Sequence, residues 1–341
     1  MKAGIAVLGI FLASCAGAGA TPAGSASTPP TTGAASTTSS TTATTTPPRA
    51  TTTAPAPTAA PSLSGVKNWG YQLQNLNVAT LAATPFDGYV IDYSTDGTAT
   101  GKLAQADLAT LHSSKPGRVV LAYLSIGEAE NYRYYWQASW TAGNPSFIGP
   151  VDPQWPGNYK VKYWDPAWQA VIFGSPTAYL DQIIDQGFDG CYLDIIDAYQ
   201  FWGPGGPSGL DRATAEQEMV AFVEAIANYA RTTRGKPNFL VVPQNAEELS
   251  SHPDYVQTVS GIGIEDLFYD GDTPQAAADV QYRQQNIDVF LAAGKTVLSI
   301  DYVTTQTNID AFYAEDSAAG YIPYASDRNL DVLTVNPGHA P

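Results

Sequence analysis

Eight short apolar runs recur along the chain, and most stop on an acid or an amide. They span 68–73, 88–93, 118–126, 190–195, 239–243, 261–264, 296–300 and 321–324. Runs this short, rich in β-branched and aromatic residues, suit parallel strands buried on both faces. Helical patterns lie between them, over 103–111, 168–184, 214–231 and 276–293. The clearest keeps Met219, Phe222, Val223, Ile226 and Tyr229 on one face. Alternating strand and helix units predict a parallel sheet, and eight of them fit a closed (β/α)8 TIM barrel. An open doubly wound sheet is the alternative. It is disfavoured because no glycine-rich phosphate loop follows the first run.

A barrel of this kind carries its active site at the carboxyl ends of the strands. The polar residues there are Asp92, Glu128, Asp194, Asp197, Gln244, Asn245, Glu265, Asp301 and Asp327. One such acid is commonly a helix cap or a solvated loop residue. Several on one rim point to carboxylate chemistry. Asp194 ends Gly190-Cys191-Tyr192-Leu193, and a period of two puts it on the same face as Tyr192. Glu265 follows Gly261-Ile262-Gly263-Ile264, so Gly261 and Gly263 share its face and are expected to leave space beneath it. Asp194 and Glu265 are the candidate catalytic pair. Glu128 is a third acid, expected to support binding or tune the pair. Each of the three also has a structural reading, as a buried acid bonded to backbone or to a neighbour. Asp92, Asp197, Gln244, Asn245 and Asp301 join Glu128 as candidate substrate contacts, together with Trp69, Tyr123 and Tyr192.

Other chemistries have fewer residues to work with. The histidines are His112, His252 and His339, in a helix-like segment, a loop and the tail. That argues against a histidine metal cluster and against a Ser-His-Asp triad. An all-carboxylate metal site stays open as an alternative. Cys191 sits inside an apolar run and reads as a small core residue. All 32 acids but only 14 of the 16 Lys and Arg fall beyond residue 64. That excess of acid makes nucleic acid an improbable partner. It suits either plain solubility or a cleft for a cationic ligand. Tyr132, Tyr134, Tyr135, Trp136 and Trp140 follow the third run, and Tyr199, Phe201 and Trp202 the fourth. Aromatics so placed can stack on sugar rings or simply pack the loops.

The start of the chain is read separately. Lys2, the apolar run 3–12 and Ala13-Ser14-Cys15 have the form of a secretory signal, too short to span a bilayer. Leu12-Ala13-Ser14-Cys15 resembles a bacterial lipobox, which implies cleavage before Cys15 and acylation of it. Residues 1–14 are then a signal peptide. Residues 15–64, almost entirely Thr, Ser, Ala, Pro and Gly, form a disordered spacer with too little apolar surface to fold. Residues 65–341 form the barrel domain, placed outside the cytoplasm and either secreted or tethered to a membrane through Cys15.

Several segments together resemble glycoside hydrolase family 114. They are Tyr123-Leu124-Ser125-Ile126-Gly127-Glu128, Tyr163-Trp164-Asp165-Pro166, Gly187-Phe188-Asp189-Gly190 running into Leu193-Asp194, Gln244-Asn245, and Gly263-Ile264-Glu265-Asp266-Leu267-Phe268-Tyr269. The resemblance implies a β/α barrel, no cofactor, and endo-cleavage of α-1,4-linked galactosamine polymers. It implies Asp194 and Glu265 as the acidic pair, with Glu247 the nearby acid most easily confused with Glu265. A free amine cannot act as a neighbouring acetamide does in substrate-assisted hydrolysis, so such a substrate calls for two enzymic carboxylates. The reading from a different class is a lipid-anchored, non-catalytic barrel that binds glycan without cutting it. A carboxylate-metal hydrolase is a third.

Overall fold

The eight apolar runs form strands because their inward and outward faces are both covered. The computed structural model describes residues 60–341. The strands are β1 (Trp69–Gln72), β2 (Gly88–Ile91), β3 (Val119–Ser125), β4 (Gly190–Asp194), β5 (Leu240–Pro243), β6 (Gly261–Glu265), β7 (Thr296–Asp301) and β8 (Ile322–Ala325). β1 to β5 pair in sequence as one parallel sheet, and β6, β7 and β8 as a second. A parallel bridge between Gln244 and Gly263, with Asn245 N–H donating to Gly263 O at 2.8 Å, joins β5 to β6. Across the β8–β1 seam the Trp69 indole N–H donates to Ile322 O at 2.8 Å. The result is a (β/α)8 barrel.

Register sets the depth of the rim. Asp194 is level with Ser125, and Glu265 with Ile300. Below them the interior is filled by rings: Trp69 lies 5.8 Å from Tyr71, 5.7 Å from Tyr324 and 6.2 Å from Tyr192. The floor under the acids is therefore packed aromatic surface.

Helices close the outside. Arg212–Asn228 begins at Asp211, whose carboxylate accepts from Thr214 N at 2.7 Å, and it buries Met219, Phe222, Val223 and Ile226. The helix expected over 168–184 is two, Pro166–Ile172 and Tyr179–Gln186. Gly174 at φ +108° and Pro176 separate them, neither of which continues a helix. The second ends at Gly187, whose φ of 96° suits glycine at a helix stop.

One unit was not expected. After β3 the chain builds a small antiparallel sheet from Glu128–Glu130, Ile148–Val151 and Asn158–Val161. Leu63, read as spacer, is 4% exposed and belongs to the core, so the ordered body begins before residue 65. The predicted signal peptide, Cys15 and the spacer up to residue 59 lie outside the described residues. Among the described residues no helix is long and apolar enough to cross a membrane.

Candidate active site

Asp194 closes β4 and Glu265 closes β6, and both carboxylates are held by neutral donors. Asp194 Oδ2 accepts from the Tyr123 hydroxyl at 2.6 Å. Its Oδ1 accepts from Ile195 N–H at 2.8 Å and from Gln244 Nε2 at 2.9 Å. Glu265 Oε2 accepts from Gln244 Nε2 at 2.7 Å and from Asn245 Nδ2 at 2.9 Å. Its Oε1 accepts from the Tyr302 hydroxyl. One nitrogen of Gln244 thus serves both acids. The two oxygens it holds are at most about 5.6 Å apart, the sum of 2.9 and 2.7 Å.

Burial raises the pKa of both carboxyls, and for Asp194 the charge of Glu265 adds to it. The hydrogen bonds oppose this rise without cancelling it. Two half-buried acids this close cannot both ionise easily, so the pair tends to hold a proton between them.

The backbone past these strand ends is unusual. Ile195, Asn245, Ala246 and Asp266 have φ of 58°, 58°, 56° and 49°. A left-handed β-branched residue such as Ile195 is strained, and such strain gathers at functional sites. Gly127 makes Ile195 possible: a Cβ there would meet Ile195 O at 2.2 Å. Gly263 does not leave the space expected beneath Glu265. Tyr192 occupies it, and a Cβ on Gly263 would lie 1.8 Å from the Tyr192 hydroxyl. The second expected gap, at Gly261, is closed by Thr296 O, 2.6 Å from where a Cβ would sit.

The other predicted residues go to several places. Tyr123, Gln244 and Asn245 join the pair directly. Trp69 and Tyr192 are buried in the aromatic interior beneath it. Asp301 accepts three backbone N–H bonds, from Leu267, Phe268 and Tyr269 at 2.8, 3.0 and 2.9 Å, and so pins the loop after Glu265. Asp92 is buried against Arg133, its Oδ2 2.6 Å from Nη1. Glu128 is fully buried in the antiparallel sheet, with Lys160 Nζ at 2.5 Å and Asn158 Nδ2 at 3.1 Å. Burial nonetheless pushes its carboxyl up to about 7. Its hydrogen bonds go to that sheet and not to Asp194 or Glu265. Glu247 pairs with Arg283. Asp327 caps its own turn, accepting from Asn329 N–H at 2.8 Å. Asp197 is solvent-accessible and lines a cavity of about 470 Å³ with Glu247, Glu248, Glu265, Asp266 and Asp279.

Tyr302, Arg133 and Arg328 were not singled out from the sequence. Arg328 Nη2 reaches both oxygens of Asp266 at 2.9 and 2.8 Å, and its Cζ lies 4.3 Å from the centre of the Tyr302 ring. The aromatics after β3 largely pack on one another, as Tyr134 on Tyr135 at 5.8 Å and Trp136 on Trp140 at 5.4 Å. Tyr132 is the exception, 49% exposed. A larger hollow of about 580 Å³ lies at the amino-terminal end of the barrel, among Lys67, Asn68, Lys295 and His339, and includes none of the rim acids. Among the described residues no group of three or more His, Cys, Asp or Glu side chains is arranged to hold a metal.

Paired carboxylates at the carboxyl rim of a β/α barrel define a site of the glycoside hydrolase class. The match to a family model makes the assignment: residues 48–339 fit glycoside-hydrolase family GH114, and the chain belongs to that family. A protein of Methanocaldococcus jannaschii is 40% identical over 277 residues, 78% of this chain and 77% of its own. One of Thermotoga maritima is 38% identical over 285 residues, 80% and 85% of the two chains. Among solved structures, the glycoside hydrolase domain of PelA from Pseudomonas aeruginosa superposes with a TM-score of 0.61 at 21% identity, covering 80% of this chain and 98% of that one. Aspergillus fumigatus Ega3, solved in complex with galactosamine, superposes with a TM-score of 0.57 at 20% identity, covering 80% and 94%. At these identities the likeness is one of fold.

Proposed function

We propose that the protein is an endo-acting hydrolase of α-1,4-linked, galactosamine-containing polysaccharide, with Asp194 and Glu265 as its catalytic carboxylates. The observation that carries this is the pair itself, two rim acids bridged by one amide nitrogen. One carboxyl gives its proton to the glycosidic oxygen as the bond to the anomeric carbon breaks. The other, ionised, attacks that carbon, and a water then releases the sugar after losing a proton to the first. Bridged oxygens at most about 5.6 Å apart favour the retaining spacing of about 5–5.5 Å over the inverting spacing of about 6.5–9.5 Å.

The substrate class rests on charge. The acidic cavity opens beside Glu265, and its one basic residue, Arg283, is already paired with Glu247. Such a wall favours a sugar carrying an ammonium group. Family GH114 membership and Ega3's complex with galactosamine point the same way. The test is release of new reducing ends from a de-N-acetylated galactosamine polymer, with the anomer of the first product read by NMR. Polymer retained but uncut would mean a binding protein, and the opposite anomer would mean inversion. Loss of activity on adding a chelator would point instead to a carboxylate-bound metal.

We also propose that Cys15 tethers the barrel to a membrane, on the strength of Leu12-Ala13-Ser14-Cys15. Cys15→Ser should move the folded protein to the soluble fraction. Unchanged membrane fractionation would reject the anchor.

A further inference from the structure

We infer that Gln244 is a positioning residue of the catalytic pair: its amide nitrogen ties Asp194 to Glu265 and fixes the spacing at which they work. This rests on the reading of those two acids given above. Gln244 is attached to both strands that carry them. Its backbone N–H donates to Leu193 O on β4 at 2.7 Å, and its backbone bridges to Gly263 on β6. Its side chain then repeats the connection at the level of the carboxylates. Tyr123 holds only Asp194, while Tyr302 and Asn245 hold only Glu265.

The amide offers sugar no accessible hydrogen-bonding group. Gln244 is 3% exposed, its Nε2 is engaged by both acids, and its Oε1 is covered and without a partner among the described residues. A buried acceptor without a partner is a cost a fold seldom keeps. The reverse orientation would aim that oxygen at two carboxylates, which is worse. The bridge therefore dictates the orientation, and the unused oxygen is its by-product. The ionisable groups facing the pair are Tyr71 on β1, Tyr123 on β3, Tyr192 on β4, Asp197, Asp266, Tyr302 and Arg328. Arg328 is the one cation among them, and its guanidinium is bonded to Asp266. Neutral donors thus ease the ionisation that catalysis requires: Tyr123 and Ile195 N–H at Asp194, Tyr302 and Asn245 at Glu265, and Gln244 as the one that reaches both.

The test uses the full chain and a de-N-acetylated galactosamine polymer. Gln244→Met keeps the volume and removes both donated bonds. Its kcat should fall by about 10-fold or more with KM changed less than about 3-fold, because a positioning group acts on the transition state and not on binding. The acid-side limb of its pH–rate profile should move up by about one pH unit, since both carboxyls lose a donor to their charged forms. Gln244→Asn keeps an amide one methylene shorter, able to reach one carboxylate, and should fall between. If Gln244→Met does not fold, Gln244→Asn carries the same readout. A raised KM with intact kcat would make Gln244 a substrate contact and overturn the inference. So would wild-type kcat and an unmoved acid limb. Asp194→Asn and Glu265→Gln, run alongside, separate the failures. If either stays active, the pair itself is misassigned. If both are inactive while the Gln244 variants behave as wild type, only the bridging role fails.

Discussion

Two pairs of acids near the rim are each joined by one side chain, and the two joints differ in charge. Gln244 links Asp194 to Glu265 with a neutral amide. Arg133 links Asp92 to Glu130 with a guanidinium, Nη1 to Asp92 at 2.6 Å and Nε to Glu130 at 2.7 Å. Four tyrosine rings, those of Tyr93, Tyr123, Tyr132 and Tyr179, lie 5.0–5.8 Å from that guanidinium. A cation between two buried acids offsets their charge and fixes them in place, although burial still raises the Asp92 carboxyl. An amide between two half-buried acids holds them in place and leaves a proton free to move. The two joints thus differ in depth as well as in charge: Asp92 and Glu130 are fully covered, Asp194 and Glu265 only partly.

The contrast can be broken at either joint. Arg133→Met should remove about 3–5 kcal/mol of stability, because it strands two buried carboxylates. Chemical denaturation measures this, and a loss under about 1 kcal/mol would show that the triad is not the brace it resembles. Asp194→Asn and Glu265→Gln should do the opposite, keeping stability while turnover falls about 100-fold or more, some 2.7 kcal/mol of transition-state stabilisation. Near-normal turnover in either variant, correctly folded, would end the assignment and turn attention to Glu128 and Glu247.

Glu128 sharpens the comparison, since it has a lysine and still sits high. Its carboxyl is raised from 4.5 to about 7, so the folded chain keeps this proton where the unfolded chain has lost it. Its contribution to stability is full below about pH 4.5 and fades as pH rises through about 7. Glu128→Gln should flatten that decline, by up to about 1.4 kcal/mol per pH unit. An unchanged slope between those limits would mean Lys160 keeps the acid ionised. The smallest effect concerns salt. KM for a cationic galactosamine polymer should rise a few-fold between about 10 and 100 mM ionic strength, as the screening length falls from about 30 to 10 Å. A fully acetylated polymer should barely respond, and an equal response from both would remove electrostatic steering from the account.

The barrel was legible because a buried parallel strand has no choice of composition: each run needed apolar groups on both faces, and each showed them. Asp194 and Glu265 stood out for the same reason, as acids ending such runs. The antiparallel sheet after β3 was not legible. Its strands are three or four residues long, and one contains Gly149-Pro150, which reads as a turn. Tyr302 was hidden by its neighbour. Asp301 drew attention as a strand-end acid, yet it bonds the loop backbone, while the phenol one residue on holds Glu265. Alternation along β7 was the available signal. Arg133 carried none, because nothing in the sequence shows that it meets Asp92, 41 residues earlier.

Loops of ordinary composition after β4, β5 and β6 would let the rim relax. Instead, Ile195, Asn245, Ala246 and Asp266 are each held left-handed, at a cost of order 1–3 kcal/mol apiece. For an engineer this marks where heat resistance and turnover conflict. A selection that rewards only survival at high temperature should collect its gains at these positions, with glycine at 195 the first to appear, and its winners should be slow enzymes. A selection that also demands activity should leave all four untouched and improve the helices instead.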